Sequence, residues 1–214
     1  MDNQLNVCCV ILAGGQSSRL GRDKALERVG AETMLHRMVR LANRTCLRTL
    51  VVGRPMPQDW PSAGGELNVE FMEDAEPRFG GPMVAIRAAL NAVGGDILAL
   101  ACDMPLLSSA MLHALHSAHR SKQDAWATIA AMQRPDGKVL AEPLLAIYTP
   151  RIVPAFDDWI RCDQRSLQQC VKLPDVQTWI VPEDLAPQLL NVNDARALAQ
   201  VRESLDSPAE QSNQ

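Results

Sequence analysis

Apolar positions along the chain fall into short blocks with two habits, unbroken runs and one-faced periodic stretches. Leu5 to Leu12 is unbroken, with Val7-Cys8-Cys9-Val10-Ile11-Leu12 at its heart. Such a run predicts a strand covered on both faces, as in a parallel sheet. A loop rich in Gly and Ser follows. Glu32 to Asn43 then predicts a helix with Leu35, Met38, Val39 and Ala42 on one face. Thr49 to Val52 predicts a short strand, and the proline- and glycine-rich stretch from Pro55 to Gly65 is punctuation. Asn68 to Met72 predicts another strand, and Pro82 to Ala92 a helix with proline in its first turn. Asp96 to Cys102 is a second buried strand, ending at Asp103-Met104-Pro105, and Ser108 is placed to cap a helix running to His119. Asp124 to Ala130, Leu144 to Tyr148 and Val176 to Val181 read as strands. Arg151 to Cys170 is helical in tendency, and Asp194 to Ser204 is the last helix.

Strands alternating with helices predict an α/β fold with a mostly parallel sheet flanked by helices. Residues 1–204 read as one domain, and the polar stretch 205–214 as a disordered tail. In such sheets ligands bind beyond the carboxyl ends of the strands. That rule selects the loop after Leu12 and the Asp103 that follows Cys102, and puts both on one edge.

Composition narrows the partners. The 214 residues carry a net charge of −4, which predicts no broad attraction to nucleic acid. Few aromatics and no basic stripe argue the same way for single strands. No apolar run is long enough to span a bilayer, and Met1-Asp2-Asn3-Gln4 lacks the marks of a secretory signal. The expectation is a cytoplasmic protein with no membrane contact. The six cysteines include no Cys-x-x-Cys pair and no zinc-finger spacing, so they read as buried reduced thiols.

The first loop reads Leu12-Ala13-Gly14-Gly15-Gln16-Ser17-Ser18-Arg19-Leu20-Gly21-Arg22-Asp23-Lys24. Gly14 and Gly15 leave the backbone N–H groups open to a phosphate. Arg19 can grip phosphate oxygens through two parallel hydrogen bonds, and Lys24 adds a compact charge. Ser17 and Ser18 supply short donors. A Walker loop needs Gly-Lys-Ser/Thr, and a dinucleotide fingerprint needs Gly-x-Gly-x-x-Gly; neither is present. Asp103 suits a magnesium ion or, equally on chemistry alone, a turn before Pro105.

From Leu12 to Lys24 the pattern Leu-Ala-Gly-Gly-x-Ser-x-Arg-x-Gly-x-Asp-Lys resembles the signature of the molybdenum cofactor guanylyltransferases, within the MobA-like nucleotidyltransferases. Cys102-Asp103-Met104-Pro105 resembles their metal motif, and Glu73-Asp74 their Glu-Asp. Gly80-Gly81-Pro82-Met83 resembles their Gly-Pro-Leu-Ala-Gly segment, with Val84 and Ala85 departing from it. Glu142-Pro143-Leu144-Leu145-Ala146-Ile147-Tyr148 resembles their Gln-Pro-Leu-x-Ala-Leu-Tyr, with Glu142 for Gln. Arg165-Ser166-Leu167 and Asn191-Val192-Asn193 resemble two later motifs, although the Thr-Pro-Glu-Asp that usually follows the latter is replaced by Asp194-Ala195-Arg196-Ala197. The resemblance runs from about Val7 to about Leu198.

It implies a Rossmann-like fold of the nucleotide-diphospho-sugar transferase type. It implies GMP transfer from GTP to the phosphate of molybdopterin or molybdenum-molybdopterin, with Mg²⁺ on Asp103. Leu12, Ala13, Gly14, Gly15, Ser17, Arg19, Lys24, Gly53, Asp74, Gly81 and Asp103 are then the nucleotide-binding residues. Lys24, Asp103 and Arg19 are the catalytic ones, and Arg165, Asn191 and Asn193 face the acceptor. Gly53 replaces an Asn of some members, so a base contact from that side chain is absent. Implied protein partners are molybdenum-insertion proteins or chaperones of recipient molybdoenzymes. Two alternatives stay open: cytidylyl or other nucleotidyl transfer to a related acceptor, and a catalytically silent nucleotide- or cofactor-binding partner. Gly14, in place of the alanine common in cytidylyl enzymes, leans toward GTP.

Two other features read as structural. His113, His116 and His119 form a solvated face opposite Leu112, Leu115 and Ala118, and Trp60, Trp126, Trp159 and Trp179 read as core or rim.

Overall fold

A computed structural model describes residues 4–14, 23–60, 67–73 and 80–206. Its first strand, β1 (Leu5–Leu12), is the apolar run. A 3₁₀ turn over Lys24–Leu26 leads into two short paired strands, β2 (Arg28–Val29) and β3 (Glu32–Thr33). Helix α1 (Met34–Thr45) begins two residues later than the apolar spacing predicts. Glu32 pairs in β3, and the Thr33 hydroxyl caps the helix by accepting from His36 N–H at 3.2 Å. The expected face, Leu35, Met38, Val39 and Ala42, is buried.

Strand β4 (Cys46–Val52) is followed by β5 (Glu70–Met72), α2 (Pro82–Val93), β6 (Ile97–Ala101) and α3 (Ser109–Arg120). Ser108 caps α3 as expected, accepting from Met111 N–H. Strands β7 (Ala127–Gln133) and β8 (Val139–Tyr148) form a hairpin longer than either apolar run. The helical tendency of 151–170 resolves into α4 (Val153–Arg161) between 3₁₀ turns at Pro150–Ile152 and Leu167–Lys172. Strand β9 (Val176–Ile180), a 3₁₀ turn at Ala186–Leu189 and α5 (Ala195–Asp206) complete the order. Leu205 and Asp206, expected in the 205–214 tail, belong to α5, with Leu205 packed against the small core around Met34 and Val201; residues 207–214 lie outside the described residues.

The main sheet has seven strands in the order β5-β4-β1-β6-β8-β7-β9. β5, β4, β1 and β6 are mutually parallel, whereas β8 runs against both its neighbours. β1 alternates between two cores, which explains its unbroken apolar character. Cys9 and Ile11 pack with α1 and α3 residues such as Leu35, Met38 and Leu112. Cys8 and Val10 pack with α2 and α4 residues such as Ile86 and Phe156. A third, smaller core joins Val29 and Met34 to Val192, Leu198 and Val201, and so holds α5 over the β2–β3 pair.

The chain leaves β1 to one side for β4 and β5, then returns through α2 to β6 on the other side. A crevice opens where the strand order reverses in this way. The carboxyl ends of β1 and β6, Leu12 and Ala101, are register partners at that point.

Candidate active site

The strand ends fix the floor of the cleft. Cys102 N–H donates to Leu12 O at 3.2 Å, and Ala13 N–H donates to Val52 O at 3.0 Å. The parallel ladder therefore consumes the Ala13 amide, and the exposed backbone opens at Gly14. Gly15, Ser17 and Arg19 lie outside the described residues, as does Asp74. Beyond that gap Asp23 caps the 3₁₀ turn that carries Lys24, its Oδ1 accepting from Ala25 N–H at 3.1 Å.

Lys24 is the hub of the described site. Its Nζ donates to Asp103 Oδ2 at 2.9 Å and to Asn193 Oδ1 at 2.8 Å. Both members of the Lys24–Asp103 pair are about four-fifths buried in their side chains, at 19% and 21% exposure. That burial strengthens the attraction over that of a surface ion pair. The Asp103 side chain serves Lys24 rather than its own turn. The Asp103 carbonyl accepts from Val192 N–H at 2.8 Å, which ties the Asn191-Val192-Asn193 segment to the end of β6. Asp194, not Asn193, caps α5 by accepting from Ala197 N–H at 2.8 Å. The Asn193 amide is thereby free to meet Lys24.

Asn191 Nδ2 donates to Glu142 Oε2 at 3.1 Å, so β8 joins the same cluster. Burial pushes the Glu142 carboxyl above the ordinary carboxylate range; hydrogen bonds from Asn191 and the Leu144 amide pull it back, and the charge of Asp103 adds to the rise. Gly53 has a φ of 95° at the end of β4, a conformation that favours glycine, and its N–H donates to Met72 O at 2.9 Å. Gly81 has a φ of 141° and precedes Pro82 at the start of α2, a helix end with no side-chain cap among the described residues and of the kind that favours an anion. Arg165 sits in the turn after α4, its Nε donating to Asp163 Oδ1 at 2.9 Å. Three residues on, Gln168 Nε2 donates to the carbonyl of Ala141, next to Glu142.

Arg54 escaped the sequence reading. Its Nη1 lies 3.0 Å from Asp23 Oδ2, and its buried Nε has no hydrogen-bond partner among the described residues. Its signal was its place just past β4, the strand end to which the sheet-edge rule was not applied. Cys102 adjoins Asp103, but burial first, and then the Asp103 charge, push its thiol up to about 12, so it stays protonated and is no nucleophile.

Two expectations about side chains are corrected. Cys162, read with the other cysteines as buried, is exposed. His119 is buried rather than solvated; its Nδ1 lies 2.9 Å from Thr128 Oγ1, and its Nε2 is 3.8 Å from Asp96. It follows Leu112 and Leu115 at helical spacing on the core side of α3, while His113 and His116 stay half-exposed.

A family model described as the MobA-like NTP transferase domain matches residues 9–207. A probable molybdenum cofactor guanylyltransferase from Synechococcus elongatus is 34% identical over 167 residues, covering 77% of this chain and 82% of the relative. One from a Nostoc species is 31% identical over 206 residues, covering 94% and 93%. Among solved structures, molybdopterin-guanine dinucleotide biosynthesis protein A from Archaeoglobus fulgidus superposes with a TM-score of 0.74 at 21% identity, over 93% of this chain and 98% of the other. 2-C-methyl-D-erythritol 4-phosphate cytidylyltransferase from Thermus thermophilus superposes with a TM-score of 0.68 at 19% identity, over 94% and 98%. A lysine and an aspartate meeting at the reversal point of a mostly parallel sheet, with a family match over nearly the whole length, lead to one assignment: the chain belongs to the MobA-like nucleotidyltransferase family.

Proposed function

We propose that the protein transfers GMP from GTP to the phosphate of molybdopterin, or of its molybdenum-bearing form, giving the guanine dinucleotide and pyrophosphate. The observation that carries this reading is the Lys24 ammonium shared between Asp103 and Asn193. It joins the strand ends suited to a triphosphate to the segment suited to an acceptor. The names of the relatives supply the guanine and the molybdenum cofactor.

In this reaction an acceptor phosphate oxygen bonds to the α-phosphorus as the bond to the bridging oxygen breaks, and pyrophosphate leaves. Such chemistry needs positioning and charge neutralisation more than covalent help. Lys24 and Arg19 would offset charge on the triphosphate and the leaving group. Gly14 and Gly15 would supply backbone donors, Gly53, Asp74 and Gly81 would border the nucleotide, and Arg165, Asn191 and Asn193 would place the acceptor.

Among the described residues no cluster of three or more His, Cys, Asp or Glu could cage a metal. A single carboxylate plus substrate phosphates is nonetheless the donor set that Mg²⁺ accepts. Asp103 fits: Oδ2 is held by Lys24, and among the described residues no hydrogen bond takes Oδ1, which could therefore face a cation. When bound, Mg²⁺ would neutralise phosphate charge and polarise the reacting phosphate. No described helix is long and apolar enough to cross a membrane. A cytoplasmic reaction, with product passed to molybdenum-insertion proteins or to chaperones of recipient enzymes, completes the reading.

Pyrophosphate release on mixing protein, Mg²⁺, molybdopterin and GTP, CTP or ATP tests it. Release with GTP is the expected result. Release with CTP alone would shift the assignment to cytidylyl transfer, and nucleotide binding without release would make the protein a silent binder.

A further inference from the structure

The β7–β8 ladder breaks in one place. Ile129 pairs with Ala146, but the next residue, Ala130, pairs with Glu142, so Pro143, Leu144 and Leu145 form a bulge in β8. Proline cannot donate to a ladder, and bulges near sites re-aim side chains. Glu142 Oε1 accepts from the Leu144 N–H within the bulge at 3.4 Å, and Oε2 accepts from Asn191 Nδ2 at 3.1 Å.

A carboxylate only accepts, so the Asn191 amide has one orientation, Nδ2 toward Glu142 and Oδ1 away from it. Asn193 is fixed in the opposite sense, because the Lys24 ammonium only donates and so holds Asn193 Oδ1. Between them Val192 is anchored on the Asp103 carbonyl. The segment therefore offers one amide oxygen from Asn191 and one amide NH₂ from Asn193.

We infer that Glu142 is a positioning residue that sets the hydrogen-bond polarity of the acceptor side. Through it Asn191 offers a carbonyl oxygen to an N–H or O–H donor on the acceptor molecule, while Asn193 offers its NH₂ to an acceptor oxygen. The inference rests on reading Asn191 as an acceptor contact. The weakened acidity of Glu142 agrees with it, since burial makes ionisation costly there and packing alone would favour a neutral side chain.

The test is steady-state pyrophosphate release with GTP and molybdopterin as varied substrates, on variants whose thermal melts show a folded protein. Glu142→Ala should raise KM for molybdopterin about tenfold, the loss of one oriented hydrogen bond, and leave KM for GTP within twofold. Glu142→Gln has one oxygen for two donors; turned to Asn191 Nδ2 it gives up only the longer bond from the Leu144 N–H, and it should restore most of the affinity. Asn191→Asp sets two carboxylates against each other and should lose molybdopterin affinity. Adding Glu142→Gln should restore it, because the glutamine NH₂ then donates to Asp and keeps an oxygen facing outward. An Asp variant that Glu142→Gln fails to rescue overturns the inference, as does an equal rise in both KM values for Glu142→Ala. Asn191→Ala separates the layers. If it leaves the molybdopterin KM unchanged, the acceptor-side reading itself fails. If it raises that KM while Glu142→Ala is silent, only the inference fails.

Discussion

At the scale of residues, Asp103 and Lys24 each hold the other's charge in a partly buried site. Substituting either leaves an unmatched charge and an incomplete site. Lys24→Ala should lower turnover by about 10²–10³-fold, as loss of a donor aimed at developing charge does elsewhere. Asp103→Asn should lose at least as much, with circular dichroism unchanged. A folded Asp103→Asn protein of near wild-type rate would remove Asp103 from the chemistry. Glu142 gives a stability signature of opposite sign. Its carboxyl is raised in the folded state, so the folded protein holds its proton to higher pH than the unfolded chain does. The stability linked to that proton is present below the unfolded-state value and is lost as pH rises through the folded value. Glu142→Gln should therefore melt no lower than wild type at neutral pH, and its advantage should shrink as pH falls. Glu32 behaves in the usual carboxylate way. Burial raises it, but the Arg40 hydrogen bonds and the charges of Arg40, Arg37 and His36 outweigh that and hold it below the ordinary range. Its contribution is present above the unfolded value and fades as pH falls through the folded one, so Glu32→Gln should be most damaging at neutral pH and nearly silent in acid melts.

At the scale of elements, caps and strand ends decide where each piece begins. Ser108→Ala removes the side-chain acceptor at the start of α3 and should cost about 1 kcal/mol, read as a shift in denaturant midpoint with unchanged slope. Elements with a one-faced or unbroken apolar pattern were legible in the sequence: β1, α1, α2, β6 and the cap of α3 all fall within two residues of expectation. The hairpin was not. Met132, Val139 and Leu140 are exposed, so the burial that makes a strand readable is missing from Met132 to Leu140. Pro143 disguised the rest, because a proline within an apolar run reads as a strand boundary when it marks a bulge. His119 was misplaced for a related reason, since a polar side chain satisfied by Thr128 can occupy a core position. On the site, Lys24, Asp103 and Asn193 were legible from motif and strand end. The Arg54–Asp23 pair and the Glu142–Asn191 bond were not, because they depend on approaches between distant segments that no local pattern encodes.

At the scale of the molecule, the site exists only when the whole sheet has closed. Lys24 reaches Asp103 across 79 positions of sequence and Asn193 across 169. The six thiols report that closure. Cys8, Cys9, Cys46, Cys102 and Cys170 are buried, and Cys162 is exposed. Burial first of all pushes Cys8 to about 11 and both Cys102 and Cys170 to about 12. A thiol reagent at neutral pH should therefore titrate one group in the native protein and six after denaturation. Rapid reaction of a second native thiol would contradict the described packing.

The reversed direction of β8 has a consequence for how such proteins can diversify. β6 pairs with β8 from Leu145 to Tyr148, whereas residues 139–142 pair with β7. That half of β8 runs past the β6 ladder; Gln168 and Asn191 hold it at Ala141 and Glu142, and from there to the hairpin tip it pairs with β7. Its tip, around Asp136 and Gly137, makes no hydrogen bond to the end of β6 among the described residues. A change in the length or facing of this arm would leave the register of β5, β4, β1 and β6 untouched, because none of those strands pairs with it.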